Sequence, residues 1–127
     1  MGDDGIVYVS DSNHARVTAF TPEGDHLWTF GEPKGSIATS AAASTGEPEL
    51  ELPRGLTVQP DDTVLVVDAF RFAIMRLSKH GEVLGTYGER GVEPGQFNFA
   101  NDIEVRGGFV VVADKENGRV QMLRLVD

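Results

Sequence analysis

The sequence predicts an all-β protein built from tandem, antiparallel four-stranded units, and three observations lead to this prediction. The segment Val-Tyr-Val-Ser-Asp at 7–11 returns in related form at 64–68 and at 110–114. Short apolar runs rich in Val, Ile, Thr and aromatic residues are typical of strands. Clusters of Gly, Pro, Asp and Asn separate these runs, as tight turns require. No stretch has the periodicity of an amphipathic helix.

The repeat extends well beyond these segments. The first two copies align without a gap at an offset of 57 residues, which places Thr29–Glu32 on Thr86–Glu89. A second block, Pro53–Val58, returns as Ala100–Val105 at an offset of 47 residues. The difference of ten residues between these offsets corresponds to Ser36–Thr45, an insertion of small residues in the connection between the first two copies.

Each unit contains up to four strands, which we label A to D in chain order. We predict strand A at about 55–59 and 102–106; strand B at about 6–10, 63–67 and 109–113; strand C at about 15–20, 72–77 and 119–124; and strand D at about 26–30 and 83–87. The B segments are almost wholly apolar, which predicts burial on both faces. The D segments alternate, which predicts an exposed outer edge.

Turn residues connect these strands. Pro22–Gly24 and Lys79–Gly81 join strand C to strand D, whereas Pro60–Asp62 and Gly107-Gly108 join strand A to strand B. Pro and Gly set the backbone angles that such turns need. The resulting order is B-C-D, A-B-C-D and A-B-C, so the first unit lacks strand A and the last lacks strand D.

Tandem antiparallel units of this length are typical of β-propeller blades. We predict a single partial propeller over 1–127, of about 2.5–3 blades, since a closed ring takes about four to eight. Blade 1 spans about 1–32, an insertion-bearing connection 33–53, blade 2 about 54–90 and blade 3 about 100–127. The chain is then either a fragment of a longer propeller or half of a ring completed by two copies. The open strand edges favour the fragment.

The sequence resembles the NHL-repeat family of propellers. The segments that carry this resemblance are Tyr8–Val17, Gly95–Phe97, Asn101–Ile103, Val110–Asp114 and Asn117–Arg119. The resemblance implies the propeller fold and no particular activity. The middle copy departs from the family pattern, because Phe70–Ala73 replaces the usual Asn-x-x-Arg. This departure predicts a turn with different packing or a specialised surface.

Composition excludes several functional classes. The 127 residues include no Cys, which rules out disulfides, thiolate metal sites and cysteine catalysis. The 11 basic and 20 acidic residues give a net charge of −9, which argues against nucleic acids and anionic membranes as partners. No apolar run is long enough to span a bilayer, and Met1–Asp4 lacks the basic start of a signal peptide. The compartment is not assigned.

Polar residues recur around the turn that follows each B strand. Asp11, Asp68 and Asp114 end strand B in the three copies. We expect them to cap the B–C turn by accepting backbone N–H bonds, because a residue repeated in every blade indicates structure rather than a unique active site. Asn13 with Arg16, and Asn117 with Arg119, are expected to belong to the same turn, with the Arg bracing the neighbouring blade.

The three His do not predict a zinc site. His14 falls in a B–C turn, whereas His26 and His80 lie on or beside C–D turns, and these turns emerge at opposite ends of an antiparallel blade. Propeller lyases such as peptidyl-amidoglycolate lyases, which this sequence resembles in fold, draw metal-binding His from the inner ends of their blades. The matching positions here are Arg54-Gly55 and Asn101-Asp102, which contain no His.

Asn101-Asp102 also resembles a pair in gluconolactonase-type propellers, where Asn and acidic groups hold a divalent cation. Oxygen ligands of this kind suit calcium or magnesium. The competing interpretation is the ordinary NHL variant, in which both side chains close the start of strand A. Because only one of the two A strands carries the pair, we predict no cofactor and no metal, with calcium or another divalent cation as the alternative.

We therefore predict a non-enzymatic, NHL-type segment that acts as a protein-binding or assembly scaffold. The expected partners are a protein, further propeller blades, or a second copy that completes the ring. The alternatives are a purely structural piece and part of a metal-dependent lyase or lactonase, although the chain lacks a Gly-x-Ser-x-Gly motif and a phosphate loop. The predicted partner surface comprises Asn13, His14, Arg54, Phe70, Arg71, Asn101 and Asp102.

The first connection offers a second candidate contact. Glu47–Glu51 is an acidic stretch beside the insertion Ser36–Thr45. Composition alone is typical of a solvated loop. The alternative is a partner-specific loop, since propellers bind their ligands at loop ends.

Overall fold

The fold was analysed in a computed structural model, which describes residues 5–31 and 50–124. The insertion 36–45 and nearly all of the connection 33–53 lie outside these residues. No helix in the described part is long and apolar enough to cross a membrane. The strands are β1 Val7–Asp11, β2 Arg16–Phe20, β3 His26–Phe30, β4 Pro53–Val58, β5 Val64–Asp68, β6 Ala73–Leu77, β7 Val83–Tyr87, β8 Glu89–Arg90, β9 Gln96–Phe97, β10 Asp102–Arg106, β11 Phe109–Asp114 and β12 Arg119–Leu123.

These strands form three antiparallel meanders, which we call blades. Blade 1 has the order β1-β2-β3, blade 2 the order β4-β5-β6-β7 and blade 3 the order β10-β11-β12. All ten predicted strands are present, with ends within two residues of the predicted ones. A parallel pair of two-residue strands, β8 and β9, was not predicted, since two residues carry no readable alternation. The B–C turns of blades 1 and 3 are short 3-10 helices, Ser12–His14 and Lys115–Asn117.

Blade 2 lies between the other two blades and packs against both. Its strand β5 presents Val64 and Val66 to blade 1, and Leu65 and Val67 to blade 3, since successive side chains point to opposite faces. The cluster against blade 1 comprises Ala15, Val17, Leu50, Val64, Val66, Met75 and Leu77. The cluster against blade 3 comprises Leu65, Val67, Ile74, Phe97, Ala100, Ile103, Val110 and Val112.

The prediction that every B strand is buried on both faces is correct for β5 alone. All five residues of β5 are buried, whereas Val7 and Val9 of β1 are 40% and 45% exposed. In blade 3, Val120 and Met122 are exposed on the face turned away from blade 2. The reason is that no sheet in the described part covers the outer face of blade 1 or of blade 3.

The innermost strands bring the blades close together at one end. β4 lies between β1 and β10 and contacts both. A Cβ at Gly55 would stand 2.4 Å from Asp102 Oδ1, so this position requires Gly. The Ser10 hydroxyl donates to the carbonyl of Arg54, which ties β1 to β4.

Antiparallel pairing then determines where the functional loops lie. Pro53 at the start of β4 pairs with Asp68 at the end of β5, and Asp102 at the start of β10 pairs with Ala113 near the end of β11. The starts of the A strands and the B–C turns therefore lie at the same end of the blades. The C–D turns, in which Gly24 and Gly81 have positive φ, lie at the opposite end.

Candidate binding surface at the B–C turns

The B–C turn of blade 2 is fixed by one buried carboxylate. Asp68 is 1% exposed and accepts N–H bonds from Phe70 and Arg71, each at 3.2 Å. It also accepts the N–H groups of Glu51 at 2.7 Å and Leu52 at 2.9 Å, just before β4. Four backbone donors therefore satisfy Asp68, and it ties the turn to the start of strand A.

This turn carries an aromatic cluster. The Phe99 ring lies 5.8 Å from the Phe70 ring and 5.1 Å from the Phe72 ring, both edge-to-face. The Arg90 guanidinium carbon lies 5.1 Å from the centre of the Phe72 ring, within the range of a cation–π contact. Phe99 comes from the segment before strand A of blade 3, so the cluster bridges blades 2 and 3.

Two rings of this cluster stand on left-handed backbone. Phe72 has a φ of 56° and Phe99 a φ of 57°, a conformation that costs a bulky residue about 1–3 kcal/mol. Ala15 and Gly118, at the equivalent position of the other two turns, have φ of 53° and 61°. The turn geometry is thus shared by all three blades, and the ring contacts offset its cost at Phe72.

A cavity of about 160 Å³ opens beside the cluster. It is bounded by the starts of two A strands, two B–C turns and the segment before β10. We call its lining the Phe70 surface: Leu52, Arg54, Ala69, Phe70, Phe99, Asn101, Lys115 and Glu116. Three residues of the predicted partner surface, Arg54, Phe70 and Asn101, therefore line one cavity.

Exposed side chains and unpaired cations characterise the Phe70 surface. Phe70 is 47% exposed although it is a large apolar residue. Arg54 and Lys115 are exposed as well, and within 5–31 and 50–124 neither side chain takes part in an ion pair. Aromatic residues, Phe included, and Arg are enriched at protein interfaces relative to the rest of the surface.

The remaining predicted residues lie elsewhere. Asp102 accepts the N–H of Ile103 at 2.9 Å and lines a separate cavity of about 120 Å³ on the outer face of blade 3. Asn101, which precedes β10, and Asp102, its first residue, line different cavities. Asn13 and His14 lie in the B–C turn of blade 1, and Arg71 lies between Phe70 and Phe72 in the turn of blade 2.

The B–C turn of blade 3 is built differently. Asp114 is fully buried and accepts bonds from Asn98 N–H at 2.8 Å, Asn117 Nδ2 at 2.8 Å and Arg119 Nε at 3.0 Å. Gln121 Nε2 donates at 3.2 Å. Burial raises the pKa of Asp114, but the bonds from Asn98, Asn117, Arg119 and Gln121 together outweigh burial and hold the pKa below its ordinary value.

Arg119 extends this network to the loop that links blades 2 and 3. Its guanidinium donates to the carbonyls of Val92 at 2.7 Å, Glu93 at 3.1 Å and Gln96 at 3.0 Å. Asn117 Nδ2 also donates to the carbonyl of Gly91 at 2.9 Å. The side chains of this turn therefore hold the inter-blade connection in place.

The three repeated Asp thus differ in their partners. Asp68 contacts backbone N–H groups of its B–C turn, as expected of a cap, whereas Asp11 and Asp114 make no such bond to their own turn in the described part. In blade 1, Asp11 bonds His14 Nδ1 at 2.9 Å and Arg16 Nε at 3.2 Å. The bond with His14, and then Arg16, lowers the pKa of Asp11. In blades 1 and 3 the turn supplies side-chain donors to the repeated Asp, whereas in blade 2 the turn supplies backbone N–H donors.

The described residues contain no group of three or more His, Asp or Glu side chains placed to hold a metal ion. His26 Nε2 lies 2.8 Å from Thr29 Oγ1, and His80 lies in the C–D turn of blade 2. His14 lies in a B–C turn, at the other end of the blades. The three His do not meet.

No family model matches the sequence. Among solved structures, a protein of unknown function from Bacteroides thetaiotaomicron superposes with a TM-score of 0.67 at 21% identity, over 89% of this chain and 30% of its own length. A streptogramin B lyase superposes with a TM-score of 0.65 at 12% identity, over 98% of this chain and 38% of its own. Virginiamycin B lyase from Staphylococcus aureus superposes with a TM-score of 0.61 at 17% identity, over 99% of this chain and 40% of its own length.

At these identities the likeness concerns the fold. The antiparallel four-stranded architecture and these neighbours agree on a partial β-propeller. The chain spans 30–40% of the length of these three proteins.

Proposed function

We propose that this chain is part of an NHL-type propeller that acts as a protein-binding scaffold and contacts its partner through the Phe70 surface. The exposed Phe70 ring beside the cavity carries this proposal. Loops at one end of a propeller are where such folds place recognition residues. The scaffold thus holds the recognition turns at fixed positions, and the partner supplies the group that fills the cavity.

The cavity size favours a protein partner over a metabolite. Pockets for small molecules occupy about 300–1,000 Å³. The volume here, about 160 Å³, is close to that of a cavity that accepts a single benzene-sized ring. One side chain of a partner fits this space.

A selection of peptides tests this proposal. The full chain, immobilised, is used to enrich binders from a random peptide library, and the enriched peptides are measured against Phe70→Ser and Phe109→Ser. Phe109 is a matched control, because it is a phenylalanine that is 36% exposed and begins β11, at the end of blade 3 away from the B–C turns. We expect Phe70→Ser alone to abolish binding. Equal binding by both variants, or no enrichment above an empty support, would overturn the proposal.

The outer faces of blades 1 and 3 support the assembly part of the proposal. Val7 and Val9 align with Val64 and Val66, which are fully buried between blades 1 and 2. The outer face of blade 1 is therefore of the type that takes another blade, and we propose further blades as its occupant. Light scattering of the purified chain should reveal association at micromolar concentration. A well-folded monomer would contradict this part of the proposal.

A second candidate is part of a divalent-metal-dependent lyase or lactonase. It is favoured by the likeness to two lyase structures, with the remaining site residues outside this chain. Asn101 is the residue to test, and its separation from Asp102 weakens the pair as a cation site. Calorimetry with calcium, magnesium and zinc discriminates the candidates: micromolar binding that is lost in Asn101→Ala favours the enzyme.

A further inference from the structure

We infer that the partner segment bound at the Phe70 surface is acidic and inserts one apolar side chain between its carboxylates. This inference rests on the proposed protein-binding function and adds the chemistry of the partner. It follows from the charges around the cavity and from the composition of its walls.

Basic residues concentrate around this cavity. Arg54 and Lys115 line it, Arg71 lies in the turn beside it, and Arg90 packs on Phe72 at its border. These are four of the 11 basic residues in a chain of net charge −9. The lining of the cavity itself carries two cations, Arg54 and Lys115, against one carboxylate, Glu116.

Four acidic residues lie near these cations, namely Glu51, Asp68, Glu89 and Glu116. The carboxylate of Asp68 is buried and accepts four backbone N–H groups. Glu89 accepts a bond from Gln96 Nε2 at 2.9 Å. Glu116 lines the cavity. Opposed to it are Arg54 and Lys115, whose side chains form no ion pair within 5–31 and 50–124.

The geometry of these cations suits carboxylates. A guanidinium presents a planar fork of N–H donors that matches a carboxylate with two parallel bonds, and such charge-assisted bonds are stronger than neutral ones. The Lys115 ammonium adds a second positive charge to the same lining. An Asp or Glu on each side of the inserted residue therefore finds its own donor.

The walls define the inserted side chain. Leu52, Ala69, Phe70 and Phe99 supply the apolar half of a lining whose other half consists of charged and amide side chains. A volume of about 160 Å³ accommodates Leu or Phe and excludes a larger folded element. The partner sequence consistent with this site is an apolar residue flanked by Asp or Glu.

Four labelled peptides test the inference by fluorescence anisotropy with the full chain. Three have a central Phe, flanked by Glu, by Ser or by Lys, and the fourth replaces the Phe of the Glu-flanked peptide with Ala. We expect the acidic Phe peptide to bind about tenfold more tightly than the Ser-flanked peptide, since two charge-assisted bonds are gained. The Lys-flanked and Ala peptides are expected to bind most weakly.

Charge-reversal variants localise the effect. Arg54→Glu and Lys115→Glu should abolish the preference for acidic flanks. Lys79→Glu is the matched control, because Lys79 is also exposed but lies in a C–D turn at the opposite end of the blades. All three positions are at the surface, so the fold should persist, and circular dichroism verifies this.

The outcomes separate the two proposals. Equal binding of the Glu-flanked and Ser-flanked peptides, both lost in Phe70→Ser, would overturn the acidic class and leave the protein-binding function standing. Loss of preference in Lys79→Glu as well would show a general charge effect and overturn the site assignment. If no peptide of any charge binds, the proposed function and this inference both fail.

Discussion

The B–C turns of blades 2 and 3 share a backbone and differ in how they use their side chains. Both end on a left-handed residue, Phe72 or Gly118, and both follow a buried Asp. In blade 3 the carboxylate of Asp114 collects side-chain donors, and Arg119 ties the turn to the preceding loop. In blade 2 the carboxylate of Asp68 takes backbone donors, and the turn presents phenylalanine rings instead.

This difference shows how one copy of a repeat can present a surface that the other copies lack. Once backbone N–H groups satisfy Asp68, the turn no longer needs Asn and Arg side chains for its own stability. The positions of Asn117 and Arg119 can then hold Arg71 and Ala73 without leaving a buried charge unpaired, and Phe72 takes the left-handed position of Gly118. The departure from the repeat pattern is therefore also the place where the structure forms its cavity.

Removing the carboxylate of blade 3 should have the largest effect on stability. Asp114→Ala leaves Arg119, Asn117 and the N–H of Asn98 without their buried acceptor. We expect a loss of about 3 kcal/mol or more in the free energy of unfolding, as for other broken buried pairs. Urea denaturation measures it. A loss below about 1 kcal/mol would mean that these donors find other partners.

The same carboxylate should make stability pH-dependent. Its pKa in the folded protein lies below the ordinary value of 3.8, so the ionised form is favoured by folding. The stability that ionised Asp114 contributes is fully present above the ordinary pKa of 3.8. It is lost as the pH falls through the lowered pKa of the folded protein. Asp114→Asn should remove this part of the acid-induced loss. Identical acid unfolding of Asp114→Asn and wild type would contradict the assignment.

The corresponding change in blade 2 should cost less. Asp68→Ala removes the acceptor of four backbone N–H groups, and water can replace some of these bonds at the exposed turn. We expect a loss of about 1–3 kcal/mol. Nearly unchanged stability in urea would show that the turn does not need its carboxylate.

The left-handed conformation at Phe72 can be separated from its ring contacts. Phe72→Ala removes the contact with Phe99 and keeps the strained backbone, whereas Phe72→Gly removes both. Both variants should be less stable than wild type, with Gly above Ala by about 1 kcal/mol in thermal or urea unfolding. Thr86 on strand β7 is the control, where the order of Gly and Ala should reverse. If Phe72→Ala were more stable than Phe72→Gly, the backbone at position 72 would not be strained.

The smallest effect is expected for the insertion, which lies outside the described residues. Deleting 36–45 shortens the first connection to the length of the second, and loop-closure entropy changes slowly with length. We expect less than about 1 kcal/mol difference in stability. A loss of several kcal/mol would show that the insertion packs against the blades.

Local signals explain what the sequence could predict. The strands and their turns followed from alternation and from turn residues such as Gly24 and Gly81, which act within a few positions. The packing of Phe70 on Phe99 joins residues 29 positions apart, and no local pattern encodes it. Lys115 and Glu116 likewise line the cavity because blade 3 packs on blade 2, which is a contact between residues far apart in the sequence.

The separation of Asn101 from Asp102 was within reach of the sequence. Asp102 is the first residue of the predicted strand A and Asn101 immediately precedes it, and neighbouring residues of an extended chain point to opposite sides. The exposed outer faces were not, because the apolar pattern of β1 is the same as that of the buried β5. Whether a face is covered depends on the number of blades that assemble, and the sequence of one strand does not determine that number.

Backbone amide chemical shifts provide the most direct test of the Phe70 surface as the binding site. The isotope-labelled full chain is titrated with the Glu-flanked Phe peptide, and shift changes are mapped on the structure. We predict the largest changes at Phe70, Phe99, Asn101 and Lys115, with little change at the outer faces. Largest changes at Val9 or Val120 would show that ligands bind the open sheet faces, and would contradict a recognition site at the B–C turns.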